Sequence, residues 1–419
     1  MTVMKKLEYN TAENTNLKTS NEPQLKNLRI AILTPTFSYF SGPDRVVERQ
    51  AGDLSTAGHQ VTIFTLEGDI VPPLGVRVVK IGVPKAVAMQ RMYRLLFFLD
   101  VLKVRKYVTM LASFDKIICH MYPMTILARK AQRKYKIHYN YYNMGIAYPT
   151  LFETHLERLY MRFFLFLTTL TVRGADSATS ISDFLRRELK NETGVDGDVE
   201  YCTISPRYNL KVNGSRIRSK YNLEFPTLLY VGRLSPHKGI HLLIEAFRVV
   251  QKSYPKARLL IVGKPTFEGY FLRLKKLAQS DPHIIFVGFV DDKEIPEFYG
   301  ACDVYTSCTQ WEGFNLPAAE AQACGKKVVL FNVGSHPEVV EVGKGVLVEK
   351  VSPYDFGSAV VSVLKSEKNK MNIKSNKELT FRKKVVFRNK VVFGKKEEFG
   401  KKALSTKYEG IKKSGGHSQ

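Results

Sequence analysis

Residues 307–325 restrict the possible folds of this chain more than any other stretch does. The four residues before them, 303–306, read as the end of a buried strand. Pro317 lies where the first turn of a helix accepts proline, and the helical pattern continues through Ala323. The stretch therefore predicts a strand, a short exit loop and a helix in direct succession, which is the repeating unit of an α/β fold.

The start of this predicted helix is a candidate anion site. The peptide N–H groups of Phe314, Asn315 and Leu316 lie at a helix end that carries about half a positive charge and unpaired donors, which suits a phosphate. Glu312 and Glu320 flank it, so a bound pyrophosphate would leave one carboxylate for a sugar hydroxyl and the other for a ribose. The alternative is a plain turn into an alanine-rich core helix, with both glutamates in solvent.

The same order of strand, loop and helix occurs in both halves of the chain. Residues 28–35 form a continuous apolar run, typical of a parallel strand buried on both faces. A loop containing Gly42 follows, then a helical pattern over 44–58 and a second strand at 60–65. The G-x-G-x-x-G fingerprint of dinucleotide binding is absent. Because the pattern restarts at 227–233, we expect an α/β protein with two Rossmann-like lobes that face a central cleft.

Two cations bracket the first strand-to-helix turn of the second half. Arg233 and Lys238 flank this turn, and both side chains could reach an anion there. Gly232 precedes Arg233, and the next strand ends on Gly263, where the missing side chain allows close backbone approach. In the first half, a strand at 114–120 ends on His120, and such strand ends face the ligand crevice of an open α/β sheet. The alternatives are a solvated loop and a structural histidine.

Composition sets further limits. The 419 residues are enough for two domains, and five cysteines without C-x-x-C spacing predict reduced thiols in a cytosolic protein. The polar N-terminus has no apolar signal core, and the longest apolar run, 159–172, is too short to span a bilayer. The predicted parts are a tail (1–27), a first lobe (28–205), a hinge (206–226), a second lobe (227–364) and a basic tail (365–419).

The net charge of +25 is concentrated in two zones. Residues 85–136 hold 12 Lys and Arg against 2 Asp and Glu, and residues 365–419 hold 17 against 5. The second zone repeats a Phe and a Lys every six residues from Phe381 onward. These zones suggest an anionic partner, either lipid or nucleic acid, and residues 88–114 could form a basic amphipathic helix on a membrane. The alternatives are helices that simply cover a lobe, and a disordered tail.

Four segments of the second half form a combined pattern: residues 231–239, 262–263, 312–317 and 320–321. Together they resemble the motifs of the retaining glycosyltransferases of family four, which have the two-lobed GT-B fold. Residues 41–47 are similar to the first glycine-rich loop of that family.

The resemblance implies a lobe that binds a nucleotide diphosphate sugar and a first lobe that accepts the second substrate. It implies that Arg233 and Lys238 hold the diphosphate and that Glu320 binds the ribose. It also implies that Glu312 with the backbone of Gly313–Leu316 binds the donor sugar and its phosphate. The implied reaction is retaining transfer of a hexosyl unit from a UDP- or GDP-sugar to a glycan or lipid-linked acceptor. No metal or cofactor is expected, because cations and helix-end N–H groups stabilise the leaving diphosphate.

The first half departs from the family pattern. Its first loop has one glycine, Gly42, where two are usual, and Asn143 stands at the position that resembles the family's histidine. Gly42, His120 and Asn143 are the acceptor-side candidates. The alternative functions are a sugar-nucleotide epimerase and a catalytically degenerate binding partner in glycan assembly. A third alternative is a nucleic-acid binder, but only the net charge points to it. We therefore expect no nucleic-acid partner. The expected location is the cytoplasm or the cytoplasmic face of a membrane.

Overall fold

The structure is a computed structural model that describes residues 27–38, 42–152, 154–224 and 226–374. The predicted six-residue repeat lies outside these ranges, as does nearly all of the predicted N-terminal tail. Both sheets presented below belong to one compact unit. Within the described ranges, no helix combines the length and the apolar content that a bilayer crossing requires.

The first half of the chain forms a parallel sheet with helices. Its strands are β1 (Arg29–Phe37), β2 (Gln60–Gly68), β3 (Arg77–Lys80), β4 (Lys116–Cys119), β5 (His138–Asn143), β6 (Ser177–Ser180) and β7 (Asp198–Val199). Its helices are α1 (Gly42–Thr56), α2 (Val87–Leu95), α3 (Val101–Leu111), α4 (Met124–Tyr135), α5 (His155–Val172) and α6 (Asp183–Thr193). The strand order in the described residues is β3-β2-β1-β4-β5-β6-β7, with every neighbouring pair parallel.

The second half forms a smaller parallel sheet. Its strands are β8 (Thr227–Val231), β9 (Arg258–Val262), β10 (Ile284–Gly288), β11 (Val304–Ser307), β12 (Lys327–Phe331) and β13 (Gly345–Val348). The remaining helices are α7 (Ser215–Lys220), α8 (Ile240–Ser253), α9 (Glu268–Ala278), α10 (Ile295–Ala301), α11 (Leu316–Ala323), α12 (His336–Val339) and α13 (Pro353–Lys374). Among the described residues the order is β10-β9-β8-β11-β12-β13, again all parallel. The two predicted Rossmann-like lobes are therefore confirmed.

Both sheets reverse their winding direction beside their first strand. The chain moves outward from β1 through β2 and β3 and then returns to place β4 on the other side of β1. It does the same around β8, which lies between β9 and β11. The crevice outside the carboxyl ends of the strands at such a reversal is the usual ligand site of an open α/β sheet. The loops after β8 and β11 therefore hold the position where the sequence predicts the anion site.

Local sequence explains the helix that follows β6. Ser182 caps α6, because its Oγ accepts a hydrogen bond from Leu185 N at 3.2 Å, and the helix ends at Gly194, whose backbone is left-handed with a φ of 77°. The predicted helical segment 88–114 is two helices, α2 and α3, separated by a 3₁₀ turn at Phe97–Leu99. The N-terminus of α6 follows the carboxyl end of its strand, so it lies at the cleft edge of the first sheet.

The lobes contact each other through apolar side chains. One hydrophobic cluster contains Met144 and Leu185 of the first lobe together with Trp311 and Phe314 of the second. Part of the predicted hinge, 206–226, forms α7, whose Arg218 pairs with Asp303 at 2.9 Å. That part of the segment consequently packs on the second lobe. The domain boundaries drawn from the sequence stay predictions.

Candidate active site

The two loops that leave the reversal strands of the second lobe lie against each other. Residues 232–239 follow β8, and residues 308–315 follow β11. The carbonyl oxygen of His237 accepts hydrogen bonds from Gln310 N at 2.8 Å and from Thr309 Oγ1 at 3.2 Å. These bonds hold the two loops together as one wall of the cleft.

Two glycines make the close approach of these backbones possible. Gly239 has a φ of 64°, and a Cβ at this position would lie 2.0 Å from the carbonyl oxygen of Cys308. Gly263 has a φ of 139°, and a Cβ there would lie 1.9 Å from the carbonyl oxygen of Gly232. A side chain at either position would push the neighbouring loop away. The close backbone approach predicted at Gly263 is therefore present, with Gly232 as its partner.

The structure brings a predicted cation and a predicted carboxylate together. Lys238 Nζ donates a hydrogen bond to Glu312 Oε2 at 2.5 Å, and only 18% and 15% of the two side chains are exposed. Ser335 N donates to the carbonyl oxygen of Glu312 at 3.1 Å and so holds its backbone. A partly buried ion pair of this kind is stronger than one in bulk water, because the local dielectric is lower. Both groups therefore have fixed positions in the cleft wall.

The second predicted cation lies on the same loop. The Arg233 side chain is exposed, and within the described part of the chain its guanidinium forms no ion pair. Burial, together with the positive charges of Lys238 and Arg233, lowers the pKa of His237 to about 2. His237 is therefore neutral at neutral pH, so it does not add a third positive charge to this loop.

Helix α11 begins at Leu316, as the sequence predicts. Asn315 caps it: Oδ1 accepts from Ala318 N at 3.2 Å, and Nδ2 donates to His336 Nε2 at 2.8 Å. The other ring nitrogen of His336 donates to a carbonyl oxygen of β12 at 2.6 Å, and burial lowers the pKa of this histidine. The cap is thus held by a neutral imidazole, and the backbone N–H of Phe314 lies two residues before the helix start.

The second predicted carboxylate, Glu320, is paired with a residue of the other lobe. It is 3% exposed, and its Oε2 accepts a hydrogen bond from the Tyr299 hydroxyl at 2.8 Å. Its Oε1 lies 3.4 Å from Nη1 of Arg45, which is equally close to both carboxylate oxygens of Asp292. Burial raises the pKa of Glu320, while Arg45 opposes that rise. Both oxygens of Glu320 therefore have partners inside the protein.

Sequence reasoning misses Arg45 and Asp292 as members of this cluster. A signal exists for Arg45, because it lies within residues 41–47, the segment similar to a glycine-rich loop of the family. No local pattern marks Asp292, which lies between β10 and α10 of the second lobe and meets Arg45 only because the lobes fold against each other. The Arg45 to Glu320 pair joins residues 275 positions apart.

The three acceptor-side candidates occupy different environments in the first lobe. Gly42 is the first residue of α1. His120 is fully buried at the end of β4, where Nε2 lies 2.8 Å from the side-chain oxygen of Gln50. Burial lowers the pKa of His120 to about 3. Asn143 is also buried, and its amide donates to the carbonyl oxygen of Leu185 at 3.0 Å. The acceptor roles of all three stay predictions.

Glu338 is a further residue of the cleft that sequence reasoning misses. Its two carboxylate oxygens accept hydrogen bonds from the backbone N–H groups of Asp183 and Phe184, both at 2.7 Å. A carboxylate of the second lobe therefore caps α6 of the first lobe. Trp311 packs nearby, with its ring edge against Gly145. Both contacts hold the lobes together beside the loops described above.

One Asp-x-Asp triplet, residues 196–198, is present in the chain. Its Asp196 pairs with Lys190 at 2.7 Å and with Arg186 at 3.0 Å. The hydrogen bond from Lys190 is the largest cause that lowers the pKa of Asp196, to about 2. The triplet follows α6 and ends on the first residue of β7, so it is not part of the loops after β8 and β11. The expectation that no metal is required stays a prediction.

The geometry of the second lobe suits a doubly charged anion with a polar extension on each side. Lys238 and Arg233 supply positive charge, and the N-terminus of α11 supplies backbone donors. Glu312 and Glu320 supply acceptors for hydroxyl groups. This combination suits a diphosphate that carries hydroxylated groups at both ends.

Comparison with known proteins agrees with this chemistry. The family model described as "Glycosyl transferases group 1" matches residues 215–380, and the model described as "Glycosyl transferase 4-like domain" matches residues 41–202. The chain is 29% identical over 214 residues to the spore coat protein SA of Bacillus subtilis (strain 168), which covers 48% of this chain and 56% of that protein. The chain thus spans about half the length of the curated relatives it matches.

Two solved structures resemble the whole described molecule. Sucrose-phosphate synthase from Thermosynechococcus elongatus has a TM-score of 0.66 at 19% identity, over 83% of this chain and 90% of that chain. Anabaena Alr3699/HepE in complex with UDP-glucose has a TM-score of 0.63 at 18% identity, over 82% of this chain and 91% of that chain. At these identities the likeness establishes the fold.

Proposed function

This chain belongs to the group 1 glycosyltransferases and has their GT-B fold, and we propose that it moves a hexosyl unit from a UDP- or GDP-sugar to a glycan or lipid-linked acceptor with retention. The observation that supports this proposal most directly is the pairing of Lys238 with Glu312 beside the N-terminus of α11. These groups lie where the second sheet reverses its winding, which is where an open α/β sheet binds its ligand.

In the proposed reaction, the bond between the anomeric carbon and the diphosphate oxygen breaks. Negative charge then develops on the diphosphate, where Lys238, Arg233 and the N–H groups at the start of α11 stabilise it. The acceptor oxygen forms its bond to the anomeric carbon on the same face, which retains the configuration. The acceptor proton passes to the departing diphosphate. The cations of the chain itself neutralise the leaving group, so we expect no metal requirement.

The donor must exchange partners with groups that are already paired. We propose that the diphosphate takes the ammonium of Lys238 from Glu312, which releases this carboxylate for a hydroxyl of the donor sugar. The ribose correspondingly takes Glu320 from Arg45, while Asp292 remains as a partner for that guanidinium. Alr3699/HepE is printed as a complex with UDP-glucose, which supports the choice of a nucleotide sugar as donor.

A lipid-linked acceptor is proposed from charge. Residues 85–136 of the first lobe carry 12 basic residues and 2 acidic ones, which favours a surface of anionic lipids over a neutral partner. The corresponding location is the cytoplasmic face of a membrane.

A thermal-unfolding panel with UDP-, GDP- and ADP-sugars tests the donor assignment. One donor at a hundred times its dissociation constant should stabilise the fold by about 2.7 kcal/mol. With that donor, Lys238→Met and Arg233→Met should each lower turnover by about 10²-fold or more, because each removes charge from the leaving diphosphate. Lys256→Met is the matched control, since Lys256 is exposed and pairs only with Glu224 among the described residues.

Three outcomes would contradict the proposal. If no sugar nucleotide stabilises the protein, the assignment of the donor site is wrong. Normal turnover in the Lys238 and Arg233 variants would remove their proposed roles. Conversion of the donor to another sugar nucleotide without an acceptor would identify an epimerase.

A further inference from the structure

Helix α5 has an apolar outward face. Five large apolar side chains on it are each at least 39% exposed, and one of them is 77% exposed. They follow one another at steps of three and four residues, which places them on one side of the helix. They are Leu156, Leu159, Phe163, Phe166 and Leu170, which together are called the α5 stripe. Thr168 and Val172 on the other side are buried against the first lobe.

Helix α8 of the second lobe shows the usual arrangement for comparison. It buries Leu243 and Phe247, and its exposed positions are Glu245, Lys252 and Ser253, all of them polar. A helix that only covers a lobe turns polar residues outward, because exposed apolar surface is unfavourable in water. The α5 stripe breaks this rule over the full length of its helix. It therefore indicates a surface made for an apolar partner.

The surroundings of the α5 stripe are cationic. Arg162 is exposed within it, and no exposed position of α5 carries a carboxylate. Helix α2 lies alongside, since the Tyr160 hydroxyl donates to the carbonyl oxygen of Arg91 at 3.3 Å. Met89 and Met92 of α2 are also exposed and extend the apolar area. An apolar face with cations at its edge matches the boundary between anionic headgroups and acyl chains.

The α5 stripe starts beside a cleft between the lobes. Thr154, Glu157 and Arg91 line this cleft from the first lobe, and Phe267 and Tyr270 line it from the second. Its volume is about 400 Å³. The Arg91 guanidinium lies 5.0 Å from the centre of the Phe267 ring and so bridges the two walls. A molecule held at the start of the stripe is therefore next to the cleft.

We propose that the α5 stripe, together with Met89 and Met92, is the surface with which this protein lies on a bilayer that contains anionic lipids. The apolar side chains enter the acyl boundary, and Arg162 contacts lipid phosphate. A second copy of the chain fits this surface less well, because a symmetric contact would bring Arg162 of one copy toward Arg162 of the other. The proposal draws on the proposed function for its consequence, which is that a lipid-linked acceptor reaches the cleft directly from the bilayer.

Sedimentation of the full chain with lipid vesicles tests this surface. We expect binding to phosphatidylcholine vesicles that contain phosphatidylglycerol, and weak binding to phosphatidylcholine alone. The double variant Phe163→Ser with Phe166→Ser should lower the partition coefficient by more than about tenfold, because it removes two large inserted side chains. Arg162→Glu leaves the stripe intact and should lower binding several-fold, and added salt should reduce that difference.

Leu272→Ser is the matched control, because Leu272 is an exposed leucine on α9 of the second lobe. All variants keep the basic residues 365–419, so a difference between them reports on α5 and not on the tail. Equal vesicle binding by wild type and the double variant would overturn the proposal. An equal loss of vesicle binding in Leu272→Ser would also overturn it. So would a wild-type protein that does not bind vesicles and forms a dimer that dissociates in the double variant.

The same proteins separate this proposal from the proposed function. Stabilisation by the donor sugar nucleotide, measured without vesicles, should be unchanged in the double variant, which also shows that the variant is folded. Vesicle binding that depends on the stripe supports the docking surface even if no sugar nucleotide binds, and that second result would count against the proposed function alone.

Discussion

The two lobes use the carboxyl ends of their strands in different ways. In the second lobe, the loops after β8 and β11 place Lys238 and Glu312 2.5 Å apart in the cleft wall. In the first lobe, His120 and Asn143 occupy the corresponding ends of β4 and β5, yet each bonds to a group of its own lobe. The same topology therefore supports a wall of charged side chains in one lobe and, in the other, an edge of buried neutral groups held by their own lobe, with Nδ1 of His120 left without a hydrogen-bond partner in the part of the chain that the structure describes.

This difference shows that a sequence reveals a ligand site when the ligand requires a local motif. A diphosphate requires cations and backbone donors at fixed places, so the chain that binds it carries a local pattern of Gly, Arg, Lys and Glu. A partner that is recognised by an exposed surface places no such demand on neighbouring residues. The α5 stripe becomes visible only when exposure is known.

The largest effect that we expect at the strand ends of the second lobe is a loss of donor affinity when Glu320 is changed. Glu320→Gln should weaken donor binding by about 10- to 100-fold, because a hydrogen bond to a charged acceptor becomes one to a neutral acceptor. Calorimetric titration with the donor identified in the panel measures this change. Glu245→Gln, an exposed change on α8, is the control.

The pH dependence gives a second test of Glu320. Burial raises the pKa of this carboxyl, so the carboxylate is lost as the pH falls through a value above the ordinary 4.5. Donor binding by the wild type should weaken in that range, whereas binding by the glutamine variant should stay level through it. Equal affinity of the two proteins at neutral pH would break the assignment of Glu320 to the ribose.

An intermediate effect is expected in the first lobe. Asn143→Ala should lower the free energy of unfolding by about 1–3 kcal/mol, because it leaves the N–H of Gly145 and the carbonyl oxygen of Leu185 without their side-chain partner. Chemical denaturation measures this loss, with the exposed Asn191→Ala as its control. Donor affinity should not change. A folded variant with normal stability and no transfer activity would instead give Asn143 a direct role at the acceptor.

The smallest expected effect concerns the contact between the lobes. Glu338→Gln keeps an acceptor for only one of the N–H groups of Asp183 and Phe184, turns an amide NH₂ toward the other, and removes the negative charge at the start of α6. It should lower the free energy of unfolding by about 1–2 kcal/mol at low ionic strength. Thermal unfolding measures it, and Glu341→Gln is a neighbouring exposed control. A loss of several kcal/mol would mean that the two lobes depend on this contact far more than the comparison suggests.

Much of the fold could be predicted from local pattern. The strands predicted at 28–35 and 60–65 and the restart at 227–233 appear as β1, β2 and β8, because apolar runs that end in turn residues leave few alternatives. Lys238, Glu312 and the start of α11 were predictable for a similar reason, since they lie in loops of fixed length after strands. The pairs Arg45 with Glu320 and Glu338 with α6 were not predictable, because they depend on how two lobes meet and leave no periodic trace.

Each lobe contributes one charged side chain that contacts the other lobe. Arg45 reaches from the first lobe to Glu320 of the second, and Glu338 reaches from the second lobe to α6 of the first. A ribose that displaces Arg45 would undo one of these contacts and leave the other intact. We therefore expect one lobe to rotate relative to the other when a donor binds, with the contact between Glu338 and α6 as the hinge.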